Sequence, residues 1–318
     1  MPHYIGIDIS KVYFDADIVG KVMRFKNTDT GYDAFVKALP IDAYCVMEST
    51  GNYGYRLATA LVHSGVSVAM VNPLSVKRFG QMHLRRTKTD RSDARLITDF
   101  AKIAPLSPFV VQSNALNELQ QLTTALKQLI KQRAALRNQL EALAQLPHRS
   151  TGAIEAITST IKHLDKTIKG LEKKTHEHAM MECPEIYPSL LTIPGIGKRT
   201  AIALLTITNG FKRFERAKEL VAYLGVCPRI AQSGSSLAAQ GHICKLGLAY
   251  ERSLLYMCAM SAVRWNNPCK VFFSRLISRG KPKMVALLAV VNKLIRQAFA
   301  IATQHTVFQH NYNFALAS

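Results

Sequence analysis

The sequence predicts an α/β domain, a mixed sheet flanked by helices, followed by a helical hairpin and a mostly α-helical C-terminal region. Three observations predict it. Three β-rich runs joined by tight turns precede alternating β/α units within residues 1–112. Leucine and isoleucine then recur at three- and four-residue spacing through residues 113–183. Beyond Pro184 and Pro188, residues 184–318 carry further helical stretches, to about Thr303.

In the first region, YIGIDIS (Tyr4–Ser10) alternates and is β-rich, which predicts a strand. VYFDADIV (Val12–Val19) predicts a second, Gly20 turns the chain, and KVMRFKN (Lys21–Asn27) predicts a third, antiparallel to it. A helix follows over Tyr32–Leu39, closed by Pro40. AYCVMES (Ala43–Ser49) is an apolar run ending in an acid, consistent with a buried parallel strand. Tyr55–His63 predicts a helix stopped by Gly65. SVAMVNP (Ser67–Pro73) predicts another strand, and Asp90–Ile103 a helix with Leu96, Ile97, Phe100 and Ile103 on its apolar side. This order, with acids at these places, resembles the RNase H or RuvC-type nuclease fold.

In the second region, Leu119, Leu122, Leu126, Leu129, Leu136, Leu140 and Leu143 form one seam. Ile154, Ile157, Ile161, Leu164, Ile168 and Leu171 form another, after the turn PHRSTG (Pro147–Gly152). The pattern fits a hairpin packed on its own protein and an oligomerising coiled coil alike. In the third region, the stretches near Leu246–Ala262 and Lys283–Ala302 carry apolar residues at helical spacing and read as core. Trp265, Phe272 and Phe273 are expected to pack there rather than to stack on bases.

The formal net charge is +20, and hydrophobic residues make up 48% of the chain. Such a chain buries real cores, and its charge asks for a polyanionic partner. From Leu220 to Ser318 the only acid is Glu251, against eleven lysines and arginines. No segment reaches about 18–20 uninterrupted apolar residues, and the start MPHYIGIDIS has no signal-peptide pattern. Nucleic acid is therefore the expected partner, not a membrane. The six cysteines form no CxxC and read as reduced, mostly buried thiols. His242 and Cys244 lack the spacing of a zinc site.

Four acids are the candidates for the chemistry. Asp8 lies between Ile7 and Ile9, where an unpaired carboxylate is costly, and Glu48 ends an apolar strand. Asp90 and Asp93 are neighbours on a helical face, ringed by Arg85, Arg86, Lys88, Arg91 and Arg95. In the RuvC-type fold the two strands are adjacent and the helix packs over their ends, so the four carboxylates converge. Crowded carboxylates need cations, and Mg²⁺ prefers oxygen ligands. Two such ions stabilise both the attacking and the leaving oxygen at a phosphate, while the surrounding bases hold DNA.

Two further stretches bear on nucleic acid. In IPGIGKRTA, Gly195 and Gly197 permit a tight turn, and the next helix begins with Lys198 and Arg199. This looks like a helix–hairpin–helix that grips a phosphate backbone; the P-loop spacing is absent. Arg275, Arg279, Lys281 and Lys283 read equally as a phosphate patch and as a solvated basic loop. QSGSS (Gln232–Ser236) is, by its residues alone, a flexible turn.

YIGIDIS, MESTGNYG and TKTDRSDARLI together resemble the DEDD transposases of bacterial insertion sequences and the related Piv DNA invertases. The resemblance continues through LLTIPGIGKRTA, YLGVCPRIAQSGSS and GHICKLG and covers nearly the whole chain. It implies a bacterial cytoplasmic recombinase, on the nucleoid when acting, that uses two Mg²⁺ at Asp8, Glu48, Asp90 and Asp93. It also implies a nucleophilic serine at Ser233, with Ser235 and Ser236 close enough to confuse the assignment. Its partners would be double-stranded DNA, as element ends and target, and a bridge RNA. It would act as a homodimer or homotetramer whose active site joins acids of one protomer to the serine of another. LAAQ (Leu237–Gln240) is less basic than the family pattern, which puts local nucleic-acid contacts there in doubt. A purely hydrolytic junction nuclease and a non-enzymatic DNA-binding protein remain the alternatives.

Overall fold

The computed structural model describes residues 2–49, 51–83, 90–229, 232–233, 237–238, 242–244 and 247–309. Of Asp90, Arg91, Pro228, Arg229, Gln232, Ser233, Leu237, Ala238 and His242 it describes the backbone only. Residues 1–111 and 112–318 form two compact units.

The first unit contains β1 (His3–Ile9), β2 (Tyr13–Ile18), β3 (Lys21–Lys26), α1 (Asp29–Ala38), β4 (Ala43–Glu48), α2 (Tyr53–His63), β5 (Ser67–Val71), α3 (Pro73–Met82) and α4 (Asp90–Ile103). The strands form one five-stranded sheet in the order β3-β2-β1-β4-β5. β1 and β2, and β2 and β3, pair antiparallel, whereas β1–β4 and β4–β5 pair parallel. The β2–β3 turn has positive φ at both Val19 (50°) and Gly20 (84°), which matches the twist of the flanking strands.

Side chains alternate between the two faces of the sheet. Ile5, Ile7, Phe14, Cys45, Met47 and Val68 pack on one face with Tyr32 and Phe35 of α1 and Leu57 and Leu61 of α2. Val46 and Ala69 pack on the other with Val76 of α3 and Ile97 and Ala101 of α4. The result is a mixed sheet between two helical layers.

The helix α3 corrects the sequence reading, which ran the strand on to Pro73. The Asn72 side chain accepts from the Leu74 amide at 2.9 Å, and Pro73 stands in the first turn. The proline starts a helix, where its missing N–H costs nothing.

The second unit contains α5 (Asn114–Ala144), α6 (Thr151–Glu182), α7 (Ile186–Leu191), α8 (Lys198–Thr208), α9 (Ala217–Tyr223), β6 (Pro228–Arg229), β7 (Gln232–Ser233), β8 (Leu237–Ala238), β9 (His242–Ile243), α10 (Ala249–Trp265), α11 (Asn267–Ser278) and α12 (Lys283–Gln304). Ser113 and Ser150 cap α5 and α6 through their side chains. Leu126, Leu164 and Ile168 are buried between these two helices, with Leu129, Leu136 and Leu171 packed against them. Arg133, the polar residue within the seam, donates to Asp165 at 2.7 Å and holds that carboxyl below its usual range.

α12 is long and apolar enough to cross a membrane by length and composition, although Lys293 and Arg296 interrupt it. Half of its most apolar stretch is buried. Val290, Val291, Leu294 and Ile295 are fully buried in a core shared with Leu190 of α7, Leu204 of α8, Leu220 of α9 and Leu255 of α10. Phe272 and Phe273 pack on this core as expected. Trp265 does not: it is 71% exposed, because it ends α10 just before Asn266 turns the chain. Cys45, Cys258 and Cys269 are buried, and the other three thiols are partly so. Burial pushes Cys45 and Cys269 up to about 12.

Candidate functional site

The sheet register places several charged residues in one row. Asp8 is the direct cross-strand partner of Asp15, and Asp15 of Arg24. On the other side of β1, Gly6 pairs with Val46 and Ile7 with Met47, so Asp8 stands beside Glu48 at the ends of two parallel strands. Two-residue alternation puts Asp8 on the face of Gly6, and Glu48 on the face of Val46. That is the face covered by α4.

The position of α4 is set at Gly6. Its amide donates to Thr98 Oγ1 at 2.9 Å. A Cβ at Gly6 would meet the Ala94 carbonyl oxygen at 2.2 Å and the Thr98 nitrogen at 2.4 Å. The helix backbone therefore lies directly on β1, in a space that only glycine leaves open. Asp93 directly precedes Ala94 and Asp90 opens the helix, so both acids sit in the first turn or so, N-terminal to this contact. Asp93 is partly buried, and Ser92 Oγ donates to its Oδ1 at 3.5 Å.

The side chains of Asp90 and Arg91, and the residues Arg85, Arg86 and Lys88, lie outside what is described. Arg95 reaches the Gly20 carbonyl at 3.4 Å. Among the described residues, no three His, Cys, Asp or Glu side chains are close enough together to hold one ion. The donor set of Asp8, Glu48 and Asp93 is all oxygen, which suits Mg²⁺ in kind.

Two participants escaped the sequence reading. Asp15 is 4% exposed and receives Arg24 Nε at 3.0 Å and Nη2 at 2.7 Å. Asp17, paired with Gly6 under α4, is 5% exposed, and its Oδ1 has no partner among the described residues. The signal was present in FDADI, where Asp15 and Asp17 alternate with buried Phe14 and Ala16.

In the second unit, Thr192–Gly197 joins α7 to α8. Gly195 has φ +106°, and a Cβ there would lie 2.8 Å from the Ala262 Cβ and 2.9 Å from the Cys258 carbonyl of α10. Asn266, fully buried, donates to the Pro194 carbonyl at 3.4 Å and to Gln297 Oε1 at 3.1 Å. The turn is thus pinned to α10 and α12, with Gly197 as the N-cap of α8. Lys198 and Arg199 are exposed, and Arg199 Nε donates to Glu172 Oε1 of α6 at 2.6 Å. This pair forms part of the wall of a cavity of about 680 Å³, together with Leu126, His176 and Met257.

Ser233 lies on β7, its backbone paired with Leu237 of β8, while Ser235 and Ser236 lie outside the described residues. The strands β6 and β9 pair at the base of this segment, Arg229 opposite His242. There Cys227 and Cys244 bring their sulfurs to 3.3 Å. Arg275, Arg279, Lys281 and Lys283 are all exposed along the end of α11 and the start of α12. The Arg275 guanidinium lies 5.3 Å from the centre of the Phe272 ring.

Comparison with known proteins agrees over most of the chain. A family model of DEDD, IS110-type proteins described as "Transposase" matches residues 5–149. Another, described as "Transposase IS116/IS110/IS902 family", matches residues 187–274. The pilin gene-inverting proteins of Moraxella lacunata and Moraxella bovis are each 30% identical over 96% of this chain and 97% of their own length. The transposase for insertion sequence element IS1111A of Coxiella burnetii is 24% identical over 96% of this chain and 91% of its own. The chain therefore belongs to the family of IS110-type transposases and pilin gene-inverting proteins, which are DNA recombination enzymes.

Proposed function

We propose that this chain cuts and rejoins DNA strands, in the transposition of an insertion sequence or in site-specific inversion. In this reading residues 1–112 form a RuvC-like catalytic domain, 113–183 a helical linker, and 184–318 a domain with a helix–hairpin–helix and the nucleophile. The observation that carries it is the placement of Asp8 and Glu48 side by side on the sheet face that α4 covers, with Asp90 and Asp93 at the start of that helix.

Asp8, Glu48, Asp90 and Asp93 would hold Mg²⁺, which when bound neutralises the carboxylates and polarises a phosphate oxygen. Ser233 Oγ attacks a DNA phosphorus. The Oγ–P bond forms, the P–O bond to one strand breaks, and the serine proton ends on the departing oxygen. Reversal with a different strand end rejoins the DNA without an external energy source. Lys198 and Arg199, with the amides at the start of α8, hold phosphates nearby, and the exposed bases Arg275, Arg279, Lys281 and Lys283 extend that contact. A bridge RNA that pairs with donor and target, and a dimer or tetramer with shared sites, complete the reading. The net charge of +20 suits both nucleic acids.

A covalent trap tests it. Protein co-expressed with RNA from its own flanking DNA is mixed with candidate end and target DNA and Mg²⁺, then denatured. A protein–DNA adduct is expected in wild type, absent in Ser233→Ala and Asp8→Ala, and mapping to Ser233. Cleavage without any adduct, unaffected by Ser233→Ala, would assign a hydrolytic nuclease instead.

A further inference from the structure

We propose that Trp265 is a stacking platform for an unpaired nucleobase of a DNA strand whose phosphates run over the turn between α7 and α8. The proposal rests on the reading of Lys198 and Arg199 as phosphate contacts of that turn. Three observations carry it. First, Trp265 is the sole tryptophan of the chain, and it stands 71% exposed on the final turn of α10. Second, its place is fixed. The next residue, Asn266, is fully buried; it donates to the Pro194 carbonyl and to Gln297 Oε1, and it accepts from the Cys269 amide at 3.2 Å. Those bonds tie the end of α10 to the turn, to α12 and to the start of α11. Third, Trp265 lies one helical turn beyond Ala262 and two beyond Cys258, the residues against which Gly195 sits. The ring therefore projects from the face of α10 that seats the turn, just past the point where the turn covers it.

A single exposed apolar residue carries no meaning by itself. The surroundings decide. Arg264 and Lys270 beside the ring are exposed, and so is the basic run from Arg275 to Lys283. From Leu220 to Ser318 the only acid is Glu251, which is buried and paired with Lys127. An apolar plane set among cations fits a partner that is anionic along its backbone and flat in its side groups, which is a nucleic-acid strand. A second copy of the same surface would set cation against cation. Bases in a duplex already stack on their neighbours and offer no free face, so the partner is an unpaired base. DNA is the strand that a recombination enzyme opens. With its backbone fixed and few rotatable bonds, the ring loses little freedom on binding.

The test uses the full-length protein with chelator, so that binding is read without metal chemistry. Because the chain has no other tryptophan, its indole fluorescence reports on Trp265 directly. Single-stranded oligothymidylate is expected to quench that signal, and a duplex of equal length to bind while leaving it nearly unchanged. Trp265→Ala should bind oligothymidylate about tenfold more weakly, with the same slope of log affinity against log salt, because a stacked base releases no counterions. Its affinity for the duplex should stay as in wild type, and Trp265→Phe should recover most of the lost single-strand affinity. An unquenched indole at saturating oligothymidylate would overturn the proposal, and so would an equal loss of duplex and single-strand affinity in Trp265→Ala. Quenching by oligouridylate RNA but not by oligothymidylate would overturn the assignment to DNA. A blue shift that grows with protein concentration and needs no nucleic acid would overturn it too, by showing a second copy on this face. The double variant Lys198→Gln with Arg199→Gln reads the phosphate contacts separately. An unchanged salt slope there would sink that reading while the quenching in wild type stands, so the two fail independently.

Discussion

The amide of Gly6 donates to the hydroxyl of Thr98 at 2.9 Å, joining residues 92 positions apart at the point where α4 lies on β1. That contact sets how closely the start of α4, with Asp90 and Asp93, approaches β1. Gly6→Ala would put a methyl group into the backbone of α4, 2.2 Å from the Ala94 carbonyl oxygen. The helix must lift, at a cost of about 3 kcal/mol. Urea unfolding should show that loss, and the fraction that remains folded should exchange strands poorly because Asp90 and Asp93 have moved. Thr98→Val, nearly isosteric, removes only the hydroxyl and should cost about 1–2 kcal/mol.

The β2–β3 turn should be improvable. Val19 has φ 50° and is 67% exposed, so its β-branched side chain strains the left-handed region without packing in return. Val19→Asn should stabilise the protein by about 1 kcal/mol, read as a higher urea midpoint with an unchanged slope. A lower midpoint would mean that the valine makes contacts worth more than the strain.

Arg199 is held by Glu172 in an ion pair whose two side chains are 47% and 34% exposed. Such a pair adds little to stability. It does compete with any phosphate that approaches the start of α8. Glu172→Gln should therefore raise the affinity for duplex DNA about threefold at low salt while leaving the thermal midpoint within about a degree. Unchanged affinity would remove Arg199 from the list of phosphate contacts.

Glu251 is the sole acid of the last hundred or so residues and is 5% exposed. Lys127 of α5 pairs with it and lies 4.6 Å from the centre of the Tyr250 ring. Lys127→Met would strand a buried carboxylate and should cost about 2–3 kcal/mol, less than in a fully enclosed pair because water reaches Lys127. Adding Glu251→Met should restore most of the loss. If the two variants simply add, the pair is not coupled.

Much of this architecture can be read from local pattern. The first strands are legible because alternation with period two is visible in YIGIDIS or FDADI without knowing what they face, and β4 because AYCVME is a short apolar run. The leucine and isoleucine seams foretell α5 and α6 for the same reason at period 3.6. The helix α3 was missed because Asn72–Pro73 can end a strand as well as start a helix, and only the side-chain cap decides. The strands β6–β9 have two residues each, too few for any periodicity. Asp8 and Glu48 stood out as acids within apolar runs. Asp15 and Arg24 did not, because what joins them to Asp8 is register between strands, and register is written in no single strand. Trp265 was misjudged by composition: a large ring at helical spacing is usually core, but this one falls on the final turn of α10.

The row that runs from Arg24 through Asp15 and Asp8 to Glu48 ties the placing of these charges to the reading frame of the hairpin. Only Lys11 and Val12 separate the Ser10 amide from the Tyr13 carbonyl that it meets. One residue gained or lost there would bring Phe14 or Ala16 to the place of Asp15 and turn Asp15 towards the apolar layer under α1 and α2. Single-residue insertions and deletions at this turn should thus be harsher than almost any substitution at the same positions. Over evolutionary time, its length should drift less than its letters.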